Sequence, residues 1–170
     1  MMRTLHIGVI GPSAAAVTLC AQARTAGAML ATAGVAVVVG GTDGVSRAAA
    51  EGAASSGGTV IGFLTGYARS TVQLPLTVAV PTGIGELSNG LLVRSCDALL
   101  SIGGGWGTLM EVALAQRTEV PVVSLDGWVL SDGAGQPIAG PTAAATVDEA
   151  VEMVRRAAAQ RRSTDEHRIG

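Results

Sequence analysis

The stretch ALLSIGGGWGTLME, residues 98–111, decides how the chain is read. Its first five residues are apolar apart from Ser101, which is the length and character of a strand covered on both faces. Three glycines end that run, and from Thr108 to about Arg117 the pattern is helical. Strand, glycine turn and helix in immediate succession make up half of a βαβ unit, and the same succession recurs along the chain. Residues 5–10 read as a first strand closed by Gly11, Pro12 and Ser13, with a helix over 14–33 that Gly34 ends. Residues 35–39 read as a second strand, after which Gly40, Gly41 and Thr42 lead into a helix over 45–55. Strands follow at 59–64 and 76–80, separated by an Arg-bearing polar segment at 65–73. A helix over 86–96 enters the 98–102 strand, and a sixth strand occupies 120–125. A glycine-rich loop or hairpin covers 128–141. The closing helix spans 146–162, with Asp148 and Glu149 in its first turn and arginines near its end, as the helix macrodipole favours.

Repeated units of this kind imply right-handed crossovers and a parallel sheet with helices on both faces: an α/β, Rossmann-like doubly wound fold. The expected organisation is one nucleotide- or phosphate-binding domain over residues 1–162 and a frayed tail over 163–170. In such sheets ligands bind outside the carboxyl ends of the strands, where the turns after strands one, two and five lie.

Composition narrows the chemistry. The 170 residues include 24 Gly but only two Trp, one Tyr and one Phe, and 48% are hydrophobic against 14% charged. Mean hydropathy is +0.46, as for a large aliphatic core with apolar surface to spare for a subunit contact. All eleven basic residues are Arg. Without Lys there is no Schiff base, no imine-held pyridoxal phosphate and no Walker A loop. The net charge of −2 leaves no electrostatic footprint for nucleic acid. Cys20 and Cys96 read as buried free thiols in a reducing compartment, and with His6 and His167 at opposite ends no spacing suggests a metal site. The apolar run at 1–10 is too short for a signal peptide core, and no run has the length of a membrane span, so the expectation is a cytoplasmic protein without membrane contact.

The candidate ligand residues are Gly11, Pro12 and Ser13, then Gly40, Gly41 and Thr42, then Gly104, Gly105, Trp106, Gly107 and Thr108. Successive glycines let main-chain amides approach an anion at the positive end of a helix, and Thr108 adds a hydroxyl donor. For a single turn, strand-to-helix geometry alone is an equal explanation; three turns at one end of the sheet favour a phosphate site. No Gly-x-Gly-x-x-Gly follows strand one, which disfavours dinucleotide binding. Thr108 and Glu111 have capping-box spacing, but a Glu one turn into that helix also has the position to touch a ribose or stabilise an oxocarbenium-like centre. Both readings stay open. Trp106 has two readings as well, a base-stacking ring or a plug for core or interface. His6 reads as structural, and Arg94 as either a partner of Asp97 or a ligand contact.

GGGWGTLME at 103–111 resembles the PGGxGTxxE signature of the Lonely guy (LOG) family, formerly called lysine decarboxylase-like. The upstream GGTDGVSRAAAEGAASSGGTVIGFL is similar to that family's second glycine turn, helix and third strand, so the resemblance covers about residues 5–126. It implies a Rossmann-like homodimer binding nucleoside monophosphates. In LOG enzymes proper it also implies hydrolysis of the N-glycosidic bond to free base and ribose 5-phosphate. Counting back from Asp97, the family's Arg-Lys pair falls on Ser88 and Asn89, Gly103 replaces the motif's Pro, and Met110 replaces a Glu. GGGWGT with Asn89 and Arg94 ahead of it looks more like the molybdenum cofactor carrier branch, which implies a bound phosphopterin or nucleotide.

The leading expectation is therefore a binding protein, requiring no cofactor for chemistry, that holds a nucleotide or a molybdopterin-type phosphopterin in a carrier role. Ser88 and Asn89 join the candidate ligand residues through the family alignment. The alternative is a nucleoside 5′-monophosphate phosphoribohydrolase with Glu111 as its catalytic residue. A DNA-binding role, known in the related DNA-processing branch, is disfavoured by the charge, and lysine decarboxylation by the missing pyridoxal anchor.

Overall fold

The computed structural model describes residues 4–68 and 73–169. In chain order the elements are β1 (His6–Ile10), α1 (Val17–Thr32), β2 (Ala36–Val39), α2 (Gly44–Ser55), β3 (Val60–Leu64), β4 (Val78–Pro81), α3 (Ser88–Ser95), β5 (Ala98–Ile102), α4 (Trp106–Arg117), β6 (Val122–Leu125), β7 (Thr142–Ala144) and α5 (Val147–Ile169). The seven strands form one sheet in the order β4-β3-β2-β1-β5-β6-β7, and every neighbouring pair is parallel. This is the α/β Rossmann-like fold expected from the repeated units.

Both faces of the sheet are covered, so alternation along a strand separates two cores rather than core from solvent. Ile7, Val9, Val37, Val39, Leu100, Ile102, Val123 and Leu125 point to the side packed by α1, α2 and α5. Ile10, Val38, Leu99 and Val122 point to the side where Leu92 and Val93 of α3 and Val112 and Ala115 of α4 close over them. Strands buried on both faces read as unbroken apolar runs, which is how they were recognisable without a period of two.

Several boundaries differ from the sequence reading, each for a local reason. A seventh strand, β7, escaped notice because Thr-Ala-Ala at a mostly exposed sheet edge carries no apolar or β-branched run. The 86–96 helix is split: a 3-10 turn at Gly85–Leu87 precedes α3. α5 continues beyond Arg162 to Ile169, where a tail was expected; no Gly or Pro interrupts it, and Thr164 bonds back to the carbonyl of Gln160 at 3.1 Å. Part of the polar segment at 65–73 lies outside the described residues.

The tightest helix contact is between α1 and α2. A Cβ on Gly27 would run into the carbonyl of Ala49, and one on Gly52 into the carbonyl of Arg24, so each glycine admits the backbone of the other helix. In an exposed helix Gly→Ala gains about 1 kcal/mol from propensity. Here overpacking, typically 1–3 kcal/mol, opposes that gain. Gly27→Ala is accordingly expected to lower the urea midpoint with an unchanged m-value; a raised midpoint would show that the helices are not held this closely.

Candidate functional site

Strand order reverses between β1 and β5, and a cleft opens at their carboxyl ends as the doubly wound topology requires. Three turns meet there. Gly11, Pro12, Ser13 and Ala14 follow β1; Gly40, Gly41, Asp43 and Ser46 follow β2; Gly105, Trp106, Gly107, Thr108 and Glu111 follow β5. Asn89 of α3 completes the wall of this open cleft.

Packing fixes the turns to one another. A Cβ at Gly11 would strike the carbonyl of Ile102 and come within 2.8 Å of Val45 Cβ, so β1 can end here only as glycine. Gly44 opens α2 at φ +55°, a left-handed conformation that favours glycine, with its Cα facing the carbonyls of Pro12 and Ser13. The amide of Val45 donates to the carbonyl of Pro12 at 3.2 Å, tying the first turn to the second.

Two helices aim their starts at the cleft. α2 is preceded by Asp43 and α4 by Gly105, and neither residue makes a side-chain cap. In α4 the first amide to find a helical acceptor is that of Leu109, which donates to Gly105 at 2.8 Å. The geometry of a helix start leaves the amides of Trp106, Gly107 and Thr108 without intrahelical acceptors. The Thr108 hydroxyl is buried and has no partner.

The capping box, one of the two readings open for Thr108 and Glu111, is not formed. α4 starts two residues before Thr108, so Thr108 and Glu111 both sit inside the helix rather than at its boundary. Glu111 instead lies at the floor of the cleft, 8% exposed, with Oε1 3.8 Å from the point where a Gly40 side chain would begin. Burial pushes its carboxyl up from 4.5 to about 7. Among the described residues no cation pairs with it.

Not every candidate converges. Thr42 is exposed and donates to Asp43 at 3.0 Å. Ser88 is buried in α3, its hydroxyl without a partner, and Gly104 lies under Trp128 in a smaller adjoining pocket. Ala14, Asp43 and Ser46 line the cleft but were not anticipated; for the last two, their position just after Gly40 and Gly41 was the available signal. Trp106 does not plug the core: it is 82% exposed at the cleft rim and meets Trp128 edge to face, centroids 5.2 Å apart.

The remaining candidates lie elsewhere. Asp97 pairs with Arg162 of α5 rather than with Arg94, which is exposed at the amino end of the sheet. His6 is structural as expected, its ring 3.3 Å from the carbonyl of Ser95. Cys96 is buried, which pushes its thiol pKa up, whereas Cys20 is only half-buried; both are free. Among the described residues no group of three or more His, Cys, Asp or Glu is placed to hold a metal ion. Among the described residues no helix is long and apolar enough to cross a membrane.

A family model described as the SLOG cluster4 family matches residues 4–160. The chain belongs to the SLOG cluster4 family. This places it in the LOG-like superfamily that its glycine motifs resemble. A SLOG cluster4 chain of this sequence is 34% identical over 132 residues to an uncharacterized protein of Archaeoglobus fulgidus, covering 78% of this chain and 87% of that one. Its fold is similar to that of the molybdenum cofactor binding protein from the phototrophic bacterium Rippkaea orientalis, with TM-score 0.80, 30% identity, and 92% and 98% of the two chains covered. It is equally similar to the molybdenum cofactor carrier protein from Chlamydomonas reinhardtii, with TM-score 0.80, 32% identity, and 92% and 99% covered. These neighbours match the branch that GGGWGT suggested.

Glu111 should leave a signature in stability. Its folded pKa is raised, so its favourable contribution is complete below 4.5 and is lost as pH rises through about 7. At 1.4 kcal/mol per pH unit the shift from 4.5 to about 7 costs about 3 kcal/mol by pH 8. Glu111→Gln is expected to abolish that loss, melting above the parent protein at pH 8 and close to it at pH 4.5. Parallel melting curves across this range would place the carboxyl in solvent.

Proposed function

We propose that this SLOG cluster4 protein binds a phosphorylated small molecule, a nucleotide or a molybdopterin-type phosphopterin, with its phosphate on the first turn of α4, and acts as a carrier. The observation that carries this reading is the convergence of three strand-end turns and two uncapped helix starts on one cleft. Such a site supplies amide donors and a positive dipole end to a dianion without needing Lys. The glycines support it further. Gly11 and Gly44 are fixed by packing, but nothing of the protein lies within 4 Å of a Cβ built on Gly107, and at Gly105 the nearest atom is 3.5 Å away. Glycine at those two positions keeps the rim clear for something outside the chain. The likeness to molybdenum cofactor binding and carrier proteins supports a cofactor-binding carrier role. A phosphopterin would suit the same donors, since its phosphate would present the same anionic oxygens to the amides as a nucleotide's.

Thr108→Val separates the site from the fold. The hydroxyl is buried without a partner, so its removal is expected to leave stability unchanged or raised. If it donates to a phosphate, affinity falls about tenfold or more, because a hydrogen bond to a charged group is worth roughly 1.5–3 kcal/mol. Thermal shift and calorimetry with AMP and a phosphorylated pterin check both halves: the parent protein is expected to be stabilised by at least one of them. No stabilisation by either compound would overturn the proposal.

The Glu111 carboxyl favours a second reading, hydrolysis of the N-glycosidic bond of nucleoside 5′-monophosphates. At neutral pH a group titrating at about 7 is half ionised. Its carboxylate form would stabilise the ribosyl cation as the base leaves and water adds to the anomeric carbon. Chromatography after incubation with AMP is expected to show free adenine on this reading, and none from Glu111→Gln. Equal rates from both proteins would remove Glu111 from the mechanism.

A further inference from the structure

We infer that Trp106, backed by Trp128, forms a ring-recognition wall at the mouth of the cleft, selecting ligands in which the phosphate is joined to a planar nitrogen heterocycle. The inference rests on the phosphate reading above and names the other end of the same ligand.

The two indoles come from separate elements. Trp106 is the first residue of α4, beside the amides assigned to the phosphate; Trp128 follows β6 in the loop that leads to β7. They meet edge to face at 84° with centroids 5.2 Å apart, a favoured arrangement for an aromatic pair. The Trp128 end of the contact is held. A Cβ on Gly104 would collide with the indole of Trp128, so the bare backbone there is the seat of that ring. The loop carrying Trp128 is structured. Asp126 accepts from Gln22 Nε2 at 2.8 Å, Asp132 accepts from the amides of Ala134 and Gln136 at 2.9 Å each, and Ser131 bridges Pro137.

Against this support Trp106 is 82% exposed while lining the cleft. Two of the chain's four aromatic residues are thus spent on one surface contact, Trp106 on the cleft rim and Trp128 behind it, in a protein whose core is filled by aliphatic side chains. A large apolar face held open to water beside uncapped amides is suited to a ligand with a dianionic end and a flat, polarisable end. A sugar phosphate offers only the first; a purine or pterin monophosphate offers both. Base–aromatic stacking tolerates different heterocycles because each has a π face, so the wall sets the ligand class rather than one base.

The test uses the whole protein and three probes: AMP, a phosphorylated pterin, and ribose 5-phosphate as the ringless control. Because Trp106 and Trp128 are the only tryptophans, AMP binding is expected to quench intrinsic fluorescence, and ribose 5-phosphate to leave it nearly unchanged. By calorimetry, at least one ring-bearing probe is expected to bind about tenfold or more tighter than ribose 5-phosphate. Trp106→Ala, whose fold is checked by circular dichroism, is expected to erase that preference without weakening ribose 5-phosphate, and Trp106→Phe to restore most of it. If all three probes bind alike, or if Trp106→Ala weakens them equally, the ring wall is wrong while the phosphate site stands. If none binds, both fail. If dilution alone changes the fluorescence and Trp106→Ala abolishes self-association with no effect on ring preference, Trp106 serves a second copy of the chain and the inference is overturned.

Discussion

The reversal of strand order between β1 and β5 is the constraint on which the rest depends. From β1 the chain builds outward through β2 and β3 to β4, then returns across the sheet to place β5 on the free side of β1. Right-handed crossovers then put α1 and α2 on one face and α3 and α4 on the other. The turns after β1 and β5 must part company at the carboxyl end of the sheet, and no helix can cover the gap between them. Ile10 is paired with Ser101, so both strands finish at the same height and both turns open onto the same space.

What fills that reversal with chemistry is an absence of side chains used in two different ways. Gly11, Gly27, Gly44 and Gly52 are glycine because neighbouring backbone occupies the place of a Cβ. They bring helices and turns closer than any other residue would allow. Gly105 and Gly107 face no such obstacle. A side chain at Gly107 would meet nothing within 4 Å, and one at Gly105 only an ordinary contact with Pro12. In a chain whose only cations are arginines, exposed amides at a helix start are the natural anion ligands, and the buried Glu111 carboxyl beside them can be neutral at modest energetic cost near pH 7.

The fold was legible wherever burial on both faces produced unbroken apolar runs between glycine turns, as at residues 35–39 and 98–102. β7 was not, because an edge strand of three small residues carries no signal, and the end of α5 was missed because nothing in 163–169 marks a stop or a continuation. The glycines, Thr108 and Glu111 of the cleft were readable from motif and spacing, and Asn89 only through the family resemblance. The start of α4 was less so: Gly105 and Trp106 look like turn residues, and only the helix geometry shows that Thr108 and Glu111 cannot cap it. Trp128 had no context in sequence, since its partner Trp106 is reached only when the β6–β7 loop folds back over Gly104.

The central claim, that a ligand phosphate rests on the first turn of α4, is tested most directly by a crystal structure of the protein grown with AMP or a phosphorylated pterin. The account predicts phosphate oxygens within about 3 Å of the amides of Trp106 to Thr108 and of the Thr108 hydroxyl, a hydrogen-bonding distance for charged acceptors. Phosphate density elsewhere, for example against Arg94 at the opposite end of the sheet, with the α4 turn holding only water, would contradict it.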